Sequence, residues 1–335
     1  MAIKTVNILV TGSAGYLGSP LCFDLLELGH NVVGIDNYIA SNDQNTIKLK
    51  KYFKDKFSFY NHDLSKSITE LNRIFSSHKP DMVVHFAALK SVKESIINPD
   101  LYWKNNVQST ENILKTMELS SCKKIIYSSS AAVYGNQDFQ PIKETANLQP
   151  ISVYAETKIA CERLVEDYCR KHKINGISLR YFNPIGKHQS DLFRDTLKEV
   201  DGSLMNEIIK TSLDSNKTLK IYGKNYKTND GTCERDYIHI IDLLDAHKKS
   251  INYIDKFSGY KVFNIGTGRP VSVIDLVNAF SKYNNVELNY EFSRKREGDV
   301  RSSYADVSKI FNELNWKSQK TLKDMVIDSW KAYSK

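Results

Sequence analysis

Tyr154 and Lys158 stand four positions apart in the run Pro150–Lys158, at the start of a helical pattern. An (i, i+4) pair shares one helix face. An ammonium beside a phenol favours the phenolate and pulls its pKa below the usual ~10. Such a base can take a proton from a sugar hydroxyl near neutral pH. Upstream lies the hydroxyl-rich run Ser128-Ser129-Ser130-Ala131-Ala132-Val133-Tyr134-Gly135. A Tyr and a Lys at helical spacing are by themselves ordinary surface residues, so their weight depends on what surrounds them.

A second constellation lies near the start. Thr11-Gly12-Ser13-Ala14-Gly15-Tyr16-Leu17-Gly18 follows a short apolar run and opens a helical pattern. Its first glycines permit a tight turn and close backbone approach to a pyrophosphate; the last lets helix and strand pack. The helix start adds free N–H groups and a positive dipole end. Asp36 ends the second strand pattern, where an acid holds the adenosine ribose hydroxyls. A carboxylate there repels a 2′-phosphate, which favours NAD over NADP. Asp63 follows a third strand pattern and is a candidate adenine contact; the alternative is a solvated turn residue. Phe86-Ala87-Ala88-Leu89-Lys90 closes the fourth with small residues that admit a flat cofactor.

These groups need a scaffold. Short β-branched and aromatic runs occur at 7–10, 32–36, 57–60, 82–86, 124–127 and 177–181, as buried parallel strands require. Helical periodicity fills 18–28, 66–77, 99–119 and 153–172. The alternation predicts an α/β fold: a Rossmann-type doubly wound parallel sheet with a smaller α/β substrate-binding lobe. The rhythm changes at Asn183-Pro184, placing an NAD-binding domain at 1–184 and a second domain at 185–335, with room for segments that return to the sheet. The second carries strand patterns at 219–222, 262–265 and 287–292 and helices at 203–213, 240–254, 272–282, 306–313 and 321–334.

Composition narrows the classes. The 335 residues are 41% hydrophobic and 26% charged, enough for a real core and against bulk disorder. The net charge is +8, but Lys and Arg are scattered without an aromatic-interleaved stripe, which argues against nucleic acid and suits a small anionic ligand. Five cysteines without a C-x-x-C read as free thiols in a reducing compartment. No run approaches the ~20 apolar residues of a membrane span. Met1–Thr5 leads directly into a strand, leaving no space for a signal peptide, so a cytoplasmic protein is expected. No His/Cys/Asp/Glu spacing supports a metal site. His85 and His239 read as structural histidines.

Together, Gly12/Gly15/Gly18, Asp36, Ser130, Tyr154 and Lys158 resemble the extended short-chain dehydrogenase/reductase superfamily. Within it, His85–Lys90, Asn105-Asn106-Val107, Ser128–Gly135, Arg180–Pro184, Gly231–Ile241 and Arg296-Glu297-Gly298-Asp299 are similar to UDP-glucose/UDP-galactose 4-epimerases, in order along nearly the whole chain. The resemblance implies tightly bound NAD and a UDP-sugar substrate oxidised transiently to a 4-keto sugar. Tyr154 is then the base at the sugar 4-hydroxyl, Lys158 its partner on the nicotinamide ribose, and Ser130 the hydrogen-bond donor to the sugar oxygen. The implied cofactor contacts are Gly12, Gly15, Tyr16, Leu17, Gly18, Asp36, Asn37, Asp63, Leu64, Phe86, Ala87, Ala88, Lys90, Asn105, Ser128, Tyr154, Lys158 and Tyr181. The implied substrate contacts are Lys90, Ser130, Tyr154, Phe182, Asn183, Ser203, Leu204, Tyr222, Arg235, Arg296, Asp299 and Ser303. Of these, Asn183, Arg235 and Arg296 grip the pyrophosphate, Asp299 the ribose, and Tyr222 the uracil. Arginine forks suit a diphosphate independently of any likeness. A homodimer is also implied.

Two positions depart from the family pattern. Ser303 is small where bulk restricts the pocket to plain hexoses, which opens it to UDP-GlcNAc and UDP-GalNAc; Tyr304 or a loop shift is the competing filler. Asp201-Gly202-Ser203 replaces the usual Pro-Asn-Asn, so Ser203 stands for an amide. Rival readings are weaker. A nucleotide-sugar 4,6-dehydratase needs an acid–base pair that Ser130-Ala131-Ala132 does not offer. A UDP-uronic acid 4-epimerase wants a cation near sugar C6, and none is identified. NAD-responsive binding proteins often lose the Tyr or Lys kept here.

Overall fold

Short β-branched runs alternate with amphipathic helices, and each pair builds the next layer of one sheet. In the computed structural model, residues 5–190, 192–193, 203–214, 216–296, 299–331 and 333 are described. Two compact units form: unit 1 from Met1–Val133, Ser152–Leu179 and His247–Val262, and unit 2 from Tyr134–Ile151, Arg180–Ala246 and Phe263–Lys335.

The first elements are β1 (Asn7–Thr11), α1 (Gly18–Glu27), β2 (Asn31–Asp36), α2 (Gln44–Phe53), β3 (Phe57–Asn61), α3 (Ile68–His78) and β4 (Met82–His85). After them come α4 (Val92–Ile97), α5 (Pro99–Tyr102), α6 (Ser109–Glu118), β5 (Lys124–Ser130), α7 (Val153–His172) and β6 (Asn175–Tyr181). Adding β11 (Tyr260–Ile265), the sheet runs β11-β6-β5-β4-β1-β2-β3. The pairs β1–β2, β2–β3, β1–β4 and β4–β5 are parallel. Strand order therefore reverses between β1 and β4, where a doubly wound sheet offers its binding crevice. Leu9, Val33, Val83 and Ile125 from the sheet pack with Ile113, Leu114, Cys161 and Val165 from α6 and α7 into a buried core.

Helix α7 is well specified. Ser152 caps it, its hydroxyl accepting from Ala155 N at 3.2 Å. Glu156 sits in the first turn and Arg170, Lys171 and His172 in the last, matching the helix dipole. The helix expected over 99–119 is instead interrupted: Trp103–Gln108 form a π-helical turn between α5 and α6. The Asn106 carbonyl, which accepts the Ser109 backbone N–H, also accepts from Thr110 Oγ1 at 2.8 Å and the Cys161 thiol at 3.4 Å.

Unit 2 has smaller sheets. It holds β7 (Asn183–Ile185), α8 (Leu204–Ser212), β8 (Leu219–Tyr222), β9 (Glu234–Arg235), β10 (Tyr237–His239) and the start of α9 (Ile240–Tyr253). Beyond β11 come β12 (Val271–Ser272), α10 (Val273–Asn284), β13 (Tyr290–Ser293), β14 (Ser302–Ser303), α11 (Ser308–Leu314) and α12 (Leu322–Lys331). Pairings are β10–β7, β13–β8 and β12-β9-β14. Met205, Ile208, Ile221, Leu276, Phe280 and Val326 lie in its core. Among the described residues no helix is long and apolar enough to cross a membrane.

Candidate functional site

The glycine loop lies at the carboxyl end of β1. Gly12 takes φ +66°, and a Cβ there would come within 2.8 Å of Ala87 N, so the loop rests against the end of β4. A Cβ on Gly18 would sit 2.0 Å from Gly12 O, so only glycine lets α1 start this close to the turn. At Gly15 a Cβ would meet only Gly12 O, at 3.4 Å, leaving the outer face of the turn open. Helix α1 has neither a side-chain cap nor an acid in its first turn. That leaves a positive helix end for an anion. Asp36 is held at the tip of β2: Oδ2 accepts from Ala14 N at 3.0 Å, and Oδ1 from Tyr38 N at 2.8 Å and Ser41 Oγ at 3.1 Å. Asn37 and Leu17 flank this turn, half-buried. A glycine cradle, an open turn, an uncapped helix start and an acid at the next strand end fit a dinucleotide such as NAD.

Other predicted positions of unit 1 gather along the same strand ends. Asp63 turns the chain after β3, accepting from Ser65 N at 2.9 Å and Ser65 Oγ at 2.8 Å, while Leu64 is buried in the core. Phe86, Ala87 and Ala88 follow β4, which ends at His85. Lys90 Nζ lies 5.8 Å from the Tyr16 ring centre. Asn105 donates to Asn106 Oδ1 at 3.1 Å. Asn106 in turn clamps Leu89, accepting from its N at 2.8 Å and donating to its O at 3.0 Å, and reaches Thr157 Oγ1 at 3.1 Å. The π turn thereby ties the loop after β4 to α7.

Tyr154, Lys158 and Ser130 meet where β5 ends against α7. The Ser130 hydroxyl faces the Tyr154 phenol and acts to lower its pKa. Lys158 Nζ donates to the Ser128 carbonyl at 2.7 Å and lies 5.8 Å from the Tyr154 ring centre. Burial pushes the Lys158 ammonium down to about 8. The expected fall of the Tyr154 pKa is reversed in the chain alone: burial pushes the phenol up to about 12, and the Ser130 hydroxyl opposes it only in part. The reason is burial of the phenol where β5 meets α7, while the ammonium is held on the Ser128 carbonyl. His85, behind this cluster, bonds Thr11 Oγ1 at 2.6 Å and Thr110 Oγ1 at 3.0 Å, and burial then Lys158 hold it down to about 3.

Unit 2 brings together a different set. Arg235 and Ser303 are register partners on β9 and β14, so their side chains share one face of the small sheet. Arg235 donates to Glu234 O at 2.8 Å and Val300 O at 2.9 Å, and its Nη2 lies 3.4 Å from Asp299 Oδ1. Arg296 stacks its guanidinium 3.8 Å over the Tyr222 ring. Asn183 Nδ2 donates to Asp236 O at 3.1 Å. Tyr181 and Phe182 are buried at the end of β6, and Phe182 N donates to Ile265 O at 3.0 Å. Ser203 caps α8 through Asn206 N at 3.3 Å, with Leu204 opening the helix. Asp201 and Gly202, and Glu297 and Gly298 of the Arg296–Asp299 motif, lie outside the described residues. Asp236 is the hub of this sheet: its carboxylate accepts from Thr267 N, Thr267 Oγ1, Gly268 N and Ala305 N at 2.7–3.1 Å. Glu162 was passed over; its signal was its place one turn beyond Lys158. All five cysteines are free and buried. Among the described residues no group of three or more His, Cys, Asp or Glu could hold a metal.

Known proteins are similar to this chain in sequence and fold. The family described as GDP-mannose 4,6 dehydratase matches residues 9–329. A UDP-glucose 4-epimerase of Yersinia enterocolitica is 38% identical over 329 residues, 97% of each chain. The crystal structure of a UDP-glucose-4-epimerase from Stenotrophomonas maltophila with bound NAD and formylated UDP-arabinopyranose superposes with TM-score 0.93 at 34% identity, covering 98% of this chain and 97% of that one. The UDP-Glc/GlcNAc 4-epimerase of Campylobacter jejuni superposes with TM-score 0.85 at 31% identity, covering 98% of each.

Proposed function

The chain belongs to the UDP-glucose 4-epimerase family of extended short-chain dehydrogenase/reductases, and from that premise we propose that it inverts C4 of a UDP-hexose with tightly bound NAD that each turnover restores. The carrying observation is the junction of β5 and α7, which places Ser130, Tyr154 and Lys158 together at the strand ends that also bear the glycine loop.

NAD, when bound, supplies the two-electron acceptor and donor for sugar C4 and a positive charge that draws Tyr154 toward its ionised form. The chain's residues do the rest. Tyr154 Oη takes the 4-hydroxyl proton and later returns it. Lys158, fixed on the Ser128 carbonyl, supplies a nearby positive field and a donor for the cofactor ribose. Ser130 aligns the sugar oxygen with the phenol. The open turn at Gly15 and the start of α1 bind the cofactor pyrophosphate, and Asp36 its adenosine ribose. Inversion also needs an uneven grip, firm on UDP and loose on the ring, so that the 4-keto sugar can present either face. Arg235, Arg296, Asn183, Asp299 and Tyr222 are suited to the firm part.

Substrate breadth follows from Ser303. Its small side chain shares a sheet face with Arg235, and we assign it as the opening for a 2-acetamido group, extending the substrates to UDP-GlcNAc and UDP-GalNAc. The same reading carries a cytoplasmic homodimer, whose mass in solution sedimentation measures.

The test is direct. Purified protein incubated with UDP-galactose and no added NAD should yield UDP-glucose. Tyr154→Phe should lower turnover by about 10²–10⁴-fold while UDP binding persists. A wild-type protein that interconverts no UDP-hexose pair sinks the proposal.

A further inference from the structure

Tyr154, Lys158 and Glu162 form one stripe of α7, each a turn beyond the last. Three consecutive residues of β5 hold them. Ser130 faces the Tyr154 phenol, the Ser128 carbonyl accepts from Lys158 Nζ at 2.7 Å, and Ser129 Oγ donates to Glu162 Oε1 at 2.5 Å. The first two contacts belong to the proposed chemistry. The third has no part in it, yet Glu162 is only 4% exposed. A carboxylate is costly to bury without a cation or donors to compensate it.

The groups facing Lys158 show what the carboxylate does. They are His85 from β4, Tyr127 from β5, and Tyr154, Cys161 and Glu162 from α7. His85 is held neutral, and burial raises the pKa values of Tyr127, Tyr154 and Cys161, so none of these offers a negative charge near neutral pH. Glu162 is the one carboxylic acid in the set. We propose that Glu162, tethered by Ser129, is a positioning residue: the buried counter-charge that keeps Lys158 an ammonium aligned with Tyr154. Its catalytic consequence rests on the epimerase reading, whereas the ionisation it controls can be read without any turnover.

Burial drags Lys158 down, and Cys161 and then Glu162 oppose that fall; of the two, Glu162 is the carboxylic acid. Glu162→Gln should therefore let Lys158 lose its proton about one pH unit lower, the size expected of one charge a helical turn away. Nitrogen NMR of the Lys158 amine, assigned by its disappearance in Lys158→Arg, reads this directly. In the active enzyme the alkaline limb of the kcat profile should move down equally, costing roughly fivefold at pH 8 and almost nothing at pH 6. Glu162→Asp should restore most of the limb. Should Glu162→Gln not fold, the double change Ser129→Ala with Glu162→Leu removes the charge together with the hydroxyl that donates to it, and the same shift is expected. An amine titration unchanged in a folded variant overturns the proposal, as does a kcat loss equal at all pH values. If wild-type protein turns over no UDP-hexose but the amine still shifts, the positioning role stands and the epimerase reading alone fails.

Discussion

Replacing Lys158 with Met should make the protein more stable while removing its activity. The amine is 3% exposed, and burial lowers its pKa from 10.5 to about 8. A drop of about 2.5 pH units at 1.36 kcal/mol each means that keeping the ammonium in the native state costs about 3 kcal/mol below pH 8. That net value already contains the attraction of Glu162, so it applies with the carboxylate in place. Met fills the channel of the lysine stem with an apolar chain and forfeits one hydrogen bond to the Ser128 carbonyl, roughly 1 kcal/mol. The balance is about 2 kcal/mol in favour of Met at pH 7, or roughly 4 °C in Tm. Its pH dependence is distinctive. Between about 8 and 10.5 the unfolded chain holds the proton that the native state has released, so wild-type stability climbs with pH across that window. The advantage of Met should be full at pH 7 and gone near pH 10.5. Thermal unfolding at pH 7 and pH 10, with both proteins at the same NAD occupancy, measures this. A Met variant no more stable than wild type at pH 7, or a gap that stays constant with pH, refutes the reasoning.

Gly18→Ala forces a Cβ to within 2.0 Å of the Gly12 carbonyl, so the turn must open; we expect a loss of about 1–3 kcal/mol in stability and of co-purifying NAD, measured by thermal unfolding and by release of nucleotide on denaturation. Ser303→Tyr should cut initial rates on UDP-GlcNAc by about tenfold or more relative to UDP-galactose, a difference of roughly 1.4 kcal/mol; equal losses on both sugars would remove Ser303 from the specificity role.

Much of the fold could be read from the residues because two signals coincide. Val32, Val33 and Ile35, or Met82, Val83 and Val84, are β-branched or apolar runs bounded by turn residues, and each becomes a strand. Ser152 before an apolar-periodic stretch, with basic residues twenty positions on, marks both ends of α7. What failed to show has physical causes. The π turn at Trp103–Gln108 keeps nearly the same apolar rhythm as an α-helix, and only the bonds of Asn106 reveal it. The strands β9, β12 and β14 are two residues long, too short for any periodicity, and exist because Asp236 fastens the loops around them. The glycine loop, Asp36 and the Tyr154–Lys158 spacing were legible because their geometry is local. The anchoring of Lys158 on Ser128 and the burial that raises the Tyr154 pKa were not, because they depend on β5 meeting α7 across 30 positions of sequence.

The residues we propose to manage protons sit in unit 1, and those we propose to hold UDP sit in unit 2. Mutational drift can therefore act on each independently. Substitutions after about residue 180 can retune which glycosyl nucleotide is admitted without touching the acid–base inventory before it. A lineage built this way diversifies by changing its address label and inherits its chemistry unaltered.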